Sequence, residues 1–123
     1  MLLSAYYAMT WKIVFDDDFA SEFADLSDGV QVALAANTEL LVEFGPKLGR
    51  PHADTLSGSK YANMKELRFM AGDGVWRVAF AFDPERKAVL LVAGDKSGGS
   101  TKRFYKNLIK TADQRYSRHL AKE

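Results

Sequence analysis

Between Met64 and Gly94 three stretches of strand-forming residues follow one another, joined by connections of hairpin length. Met64 to Met70 is the first. Val75 to Asp83 is the second, entered through the turn residues Gly72-Asp73-Gly74. Ala88 to Gly94 is the third, reached through Asp83-Pro84-Glu85-Arg86-Lys87. Parallel neighbours would need a long crossover, so connections this short dictate an antiparallel meander. The unbroken run Ala88-Val89-Leu90-Leu91-Val92-Ala93 suits a strand with apolar cover on both faces. Any fold for this chain has to be built around that meander.

The residues before it read as a strand and two helices. Trp11-Lys12-Ile13-Val14-Phe15 is short, alternating and rich in β-formers. Asp16, Asp17 and Asp18 can cap the amides of a following helix, in which Phe19, Phe23 and Leu26 recur at helical spacing. Ser27-Asp28-Gly29 breaks it and caps a second helix, striped by Val30, Leu34, Leu41 and Phe44 and stopped at Gly45-Pro46. Residues 47–63 form a long loop with a brief turn of helix or strand. After Ser97-Gly98-Gly99, Ser100 or Thr101 caps a last helix with Tyr105, Leu108, Ala112 and Tyr116 on one face. The order β-α-α-β-β-β-α predicts an α+β fold: a small, twisted, mainly antiparallel sheet with a helical hairpin packed on one face. The opposite face is expected to be at least partly open. Residues 10–120 are expected to form one domain, with 1–9 a flexible extension rather than a leader, because that segment lacks a cationic start.

Composition narrows the chemistry. The chain has no cysteine and only two histidines, His52 and His119, so no thiolate chemistry, metal site or cofactor is expected. No apolar run is long enough to span a membrane, and a cytoplasmic protein is expected. Charge is unevenly divided. Residues 1–45 hold one basic side chain against eight acidic ones, and residues 46–123 hold sixteen basic against eight acidic, a division that hints at nucleic-acid contact.

Strand alternation sorts the second half. Trp76, Val78, Phe80 and Phe82 should face the helical hairpin, with Leu67 and Phe69 beside them. Arg77, Ala79 and Ala81 then point the other way, as do Glu66 and Arg68, and the small alanines would leave space beside Arg77. Lys96 follows the third strand, and Lys102 and Arg103 open the last helix, where cations oppose the helix dipole and an anionic ligand would explain them. The competing reading pairs Arg68 with Glu66 or Asp73 and leaves Lys102 and Arg103 simply solvated.

The segments Met64-Lys65-Glu66-Leu67-Arg68-Phe69, Val75-Trp76-Arg77-Val78-Ala79-Phe80, Leu90-Leu91-Val92-Ala93-Gly94-Asp95-Lys96, Lys102-Arg103-Phe104-Tyr105 and Ala112-Asp113-Gln114-Arg115-Tyr116 together resemble the RelE/ParE toxin superfamily, and within it the phage-derived HigB-like branch. The resemblance implies a RelE-like fold and the toxin of a toxin–antitoxin pair, held in check by an antitoxin, often a helix-turn-helix protein. It further implies a metal-independent endoribonuclease (an mRNA interferase) acting on messages, in many relatives on the ribosome. By position it assigns catalysis to Arg68, Arg77, Lys96 and Tyr105, with Lys60, Lys65, Lys102, Arg103 and Lys106 as RNA-binding cations. The family's basic cluster after the last strand is thinned here to Asp95-Lys96-Ser97-Gly98-Gly99, and no histidine stands in the matched C-terminal motif; His119 reads as a helix-end residue.

The chemistry expected is attack of the 2′-hydroxyl on the neighbouring phosphate. Arginines suit the phosphate because the guanidinium fork is bidentate and stays charged. Lys96, Lys102 or Tyr105 would move protons. Two other functions stay open, because a fold does not decide a function. One is a ParE-like toxin that inhibits DNA gyrase. The other is a non-catalytic module that only binds its partner.

Overall fold

The computed structural model describes residues 10–123. The extension expected at residues 1–9 lies outside the described residues. Strand β1 (Lys12–Phe15) leads into helices α1 (Asp17–Ala24) and α2 (Asp28–Phe44), then a 3-10 turn at Gly45–Lys47. Strands β2 (Ala53–Thr55), β3 (Met64–Ala71), β4 (Gly74–Phe82) and β5 (Lys87–Asp95) follow, and helix α3 (Thr101–Lys122) closes the chain. The short β2 and the 3-10 turn are the brief regular pieces expected around the long loop.

Local chemistry sets the element boundaries. The Asp16 carboxylate accepts from the amide of Phe19 at 3.0 Å, Ser27 caps α2 through Val30, and Ser100 caps α3 through Arg103. Each side-chain oxygen satisfies an amide that the first helical turn leaves without a partner. Ala71 and Gly74 pair directly across the β3–β4 turn, and Gly72 takes φ +57°, which a residue with a Cβ adopts only with strain.

The five strands lie in the order β1-β5-β4-β3-β2. β3, β4 and β5 form the antiparallel meander, β2 adds antiparallel to β3, and β1 runs parallel to β5 at the other edge. A parallel neighbour needs a crossover, and the α1–α2 hairpin belongs to the long stretch that supplies it. The ladder between β4 and β5 slips by one residue after Ala79, so Leu91 is the extra residue of a bulge.

Alternation along β4 holds as expected. Val78 and Phe80 join Phe19, Leu34, Leu41, Leu67 and Leu90 in a core beneath the helical hairpin, and Phe82 packs against it. Burying each such side chain contributes roughly 1.5–3 kcal/mol. The other face departs from the expectation of an open surface. Ala79 and Ala81 pack with Met64, Val89, Leu91, Leu108, Ala112 and Tyr116 in a second core. The small alanines therefore make room for α3, not for a ligand. The run from Ala88 to Leu91 is buried throughout because it has one core above it and another below.

The uneven charge also has a partly internal use. Arg118 and Lys122 of α3 pair with Asp16, Asp18 and Asp17 at the start of α1, and Arg115 with Glu22 in its last turn, at 2.6 to 3.4 Å. Three of the cations that suggested nucleic acid thus fasten the last helix to the first.

Candidate anion site

Glu66 and Arg68 lie two residues apart on β3, so both side chains leave the face that carries α3. Arg68 stands directly across from Arg77 of β4. Tyr105 reaches the same point from the second turn of α3. All three meet on the carboxylate of Glu66, a buried residue. Arg68 Nη1 donates to Glu66 Oε2 at 2.8 Å, and the Tyr105 hydroxyl donates to Oε1 at 2.8 Å. Arg77 Nε donates to the Tyr105 oxygen at 3.3 Å and lies 3.7 Å from Glu66 Oε1. Arg77 Nη1 donates to its neighbour's carbonyl, that of Trp76. A buried carboxylate would be costly alone; two guanidiniums and a hydroxyl offset its lost hydration.

Exposure separates the two arginines. The Arg68 side chain is 21% exposed and that of Arg77 only 7%. Arg68 is therefore open to solvent along one edge, whereas Arg77 is enclosed by its neighbours. Burial raises the Tyr105 hydroxyl above its usual pKa, and the hydrogen bond to Glu66 raises it further; Arg77 opposes both. A groove of about 550 Å³ lies between Ala36, Asn37 and Leu40 of α2 and the β3–β4 strands, and Arg68 and Arg77 are among its lining residues.

The remaining expected residues divide into two sets. Lys96 leaves β5 with its amide bonded to the carbonyl of Val75, a residue of that groove. Asp95 turns the chain there, accepting from the amides of Val75 and Ser97 and from the Ser97 hydroxyl. Lys102, Arg103 and Lys106 line an open depression of about 410 Å³ with Ser100 and Asn107. Among the described residues, the side chains of Lys96, Lys102, Arg103 and Lys106 enter no ion pair. Lys60 and Lys65 lie elsewhere. The Lys65 ammonium is 3.5 Å from the Pro46 carbonyl on the hairpin side, and the Lys60 amide bonds to Asp113 in the middle of α3.

Glu66 is the member of the cluster that the sequence reading treated only as a possible ion-pair partner for Arg68. Its signal was its place two residues before Arg68 on one strand face. One further group, Asp83, His119 and Glu123, brings three potential metal donors within 4.8 Å of one another. His119 already bonds Asp83 at 2.9 Å, and Lys87 stands 3.6 Å from Glu123, so these carboxylates have local partners. The group sits fourteen residues along α3 from Tyr105, about 21 Å away.

Comparison with known proteins places this geometry. The sequence matches the family described as phage derived protein Gp49-like over residues 21–117. It is 48% identical over 87 residues to a candidate toxin of Mycobacterium tuberculosis, HigB2, covering 70% of this chain and 43% of that protein. This chain thus spans less than half the length of HigB2. It is 46% identical over 101 residues to another candidate toxin of the same organism, HigB3, covering 82% of this chain and 86% of that protein. In fold it is similar to a double-arginine variant of the Escherichia coli toxin RelE in the free state, with TM-score 0.60, 14% identity, and coverage of 83% of this chain and 96% of that one. The isolated RelE toxin gives TM-score 0.58, 16% identity, and coverage of 81% and 96%. The β-α-α-β-β-β-β-α order, the RelE-like arrangement and the extended sequence match agree: the chain belongs to the phage-derived Gp49-like family, in the HigB-like branch of the RelE-like toxins.

Proposed function

We propose that the chain is the toxin of a toxin–antitoxin pair and that it cleaves messenger RNA without a metal. The observation that carries this reading is the meeting of Arg68, Arg77 and Tyr105 on the Glu66 carboxylate, with Lys96, whose side chain enters no ion pair among the described residues, just past the end of β5. In the reaction a base takes the proton of the 2′-hydroxyl, the 2′-oxygen bonds to phosphorus, and the bond to the 5′-oxygen breaks. A proton then passes to that leaving oxygen, giving a 2′,3′-cyclic phosphate and a free 5′-hydroxyl. Arg68 holds the phosphate, and Arg77 holds Tyr105 in place. Lys96 neutralises the charge that builds on the phosphoryl oxygens and exchanges protons together with Tyr105 or Lys102. Lys102, Arg103 and Lys106 attract the flanking RNA backbone. The partner is an antitoxin made alongside, a helix-turn-helix protein in many relatives, and the reaction takes place in the cytoplasm, on the ribosome or off it.

One observation favours a second reading. Glu66 already serves both arginines, as it would in a module that binds a partner and cuts nothing. Arg68→Ala and Lys96→Ala, each expressed without antitoxin, separate the readings when growth and the 5′ ends of messages are followed together. The nuclease reading expects new 5′-hydroxyl ends with the parent and their loss in both variants. Arrest with intact messages and broken DNA would point to gyrase. Cleavage by both variants at the parent's rate would end the site assignment.

A further inference from the structure

We infer that Glu66 is the positioning residue of this site: its carboxylate fixes the direction of the Tyr105 hydroxyl and of the Arg68 guanidinium, leaving the outer edge of Arg68 to meet the scissile phosphate. The inference rests on the nuclease reading for its phosphate, but its geometric core does not. A phenol has one hydrogen to give. Tyr105 gives it to Glu66 at 2.8 Å, so the lone pairs of its oxygen face Arg77 Nε at 3.3 Å. The second Glu66 oxygen takes Arg68 Nη1. One carboxylate thereby orients groups from β3 and α3, and through Tyr105 it is coupled to β4.

A purely structural ion pair would need less. The two oxygens of Glu66 would be satisfied by Arg68 and Arg77 alone, as a bidentate pair. Instead Arg77 is turned to Tyr105 and to the Trp76 carbonyl, and the hydroxyl takes the nearer place on Glu66. Glu66 is also shielded from water at 5% side-chain exposure, so its field at Tyr105 is little screened. The charged groups around Tyr105 are Glu66 and Arg68 from β3 and Arg77 from β4; at the facing point of β5 stands Gly94, which abuts the neighbouring Phe104.

The test is Glu66→Gln, which keeps the shape and an acceptor oxygen and removes the charge. Tyrosinate absorbance is titrated in parent, E66Q and Y105F, the last identifying the Tyr105 step. RNA cleavage is measured across pH with the same proteins. The expected result is a folded E66Q in which Tyr105 ionises at lower pH than in the parent. Its kcat should fall about tenfold or more with KM little changed, and the alkaline limb of its pH profile should move the same way. Glu66→Asp, which restores the charge at a longer reach, should recover part of both effects, and it carries the titration if E66Q does not fold. Tyr105 ionising in the variants as it does in the parent would overturn the inference. A parent protein that cuts no RNA would sink the nuclease reading alone, and the titration would still decide the role of Glu66.

Discussion

Arg115 grips Glu22 across the molecule, its Nη1 and Nη2 donating to the two carboxylate oxygens at 2.8 and 2.6 Å. Nη1 also donates to the Leu91 carbonyl at 2.8 Å, so the same side chain touches α1, α3 and β5. The Glu22 bond, against the cost of burial, holds the guanidinium pKa above its usual value. Arg115→Ala should destabilise the fold by about 1–2 kcal/mol, after allowing for a Glu22 that is 49% exposed. Arg115→Lys should recover little, because an ammonium cannot make the bidentate pair and also reach Leu91. Urea unfolding at low and high salt checks both, and part of the loss should persist in salt because Arg115 itself is sheltered.

Gly94 is a packing requirement of the site. A Cβ there would lie 2.7 Å from the ring of Phe104, next to Tyr105. Gly94→Ala should cost roughly 1–3 kcal/mol, as overpacking does, and should displace the first turns of α3. RNA cleavage should fall further than stability alone accounts for, because Phe104 adjoins Tyr105. Thermal unfolding and cleavage measured on one preparation make the comparison.

Asp83 supplies an acid-sensitive contact. Burial disfavours its ionised form, but the His119 bond and the amides of Lys87 and Glu85 outweigh it and hold its pKa below the ordinary 3.8. A lowered carboxylate value means stability that is fully present above that pH and lost as pH falls through the folded value. Glu123 acts in the opposite sense, because burial and the nearby Asp83 and Glu85 raise it, so its share grows as the pH falls. Asp83→Asn should therefore be less stable than the parent at neutral pH and lose less on acidification below about 4. Denaturation midpoints between pH 2 and 7 test the sign.

Binding to single-stranded RNA should weaken with salt in proportion to the phosphates neutralised. Replacing Lys102 and Arg103 together by Ala should reduce the slope of log K against log salt by about 1.4, roughly 0.7 for each lost contact. Anisotropy titrations at several salt concentrations give the slope. Lys60→Ala should leave it unchanged, because Lys60 lies beside Asp113, away from the basic depression.

The meander, the caps and the apolar stripes were readable because they depend on neighbours a few residues apart. Asp16, Ser27 and Ser100 cap where their side chains reach the third amide onward, and Val78 and Phe80 face the hairpin because successive residues of a strand alternate. The second core was not readable in the same way. Ala79 and Ala81 look alike in sequence whether they leave a space or admit a helix, and only the docking of α3 shows that they admit one.

The same division runs through the site. The sequence by itself put Arg68 and Arg77 on one face of neighbouring strands, since side chains alternate along a strand, and it placed cations at the start of the last helix. Tertiary structure decided what those charges do. It sent Arg115, Arg118 and Lys122 to the acidic side chains of α1 and its cap, and among the described residues it left Lys96, Lys102 and Arg103 without carboxylates. It also gathered Arg68, Arg77 and Tyr105 around Glu66. A strand or helix period specifies only the direction in which a side chain leaves the backbone. Which opposite charge waits there depends on how sheet and helices pack, and Glu66 and Tyr105 are thirty-nine residues apart in the chain.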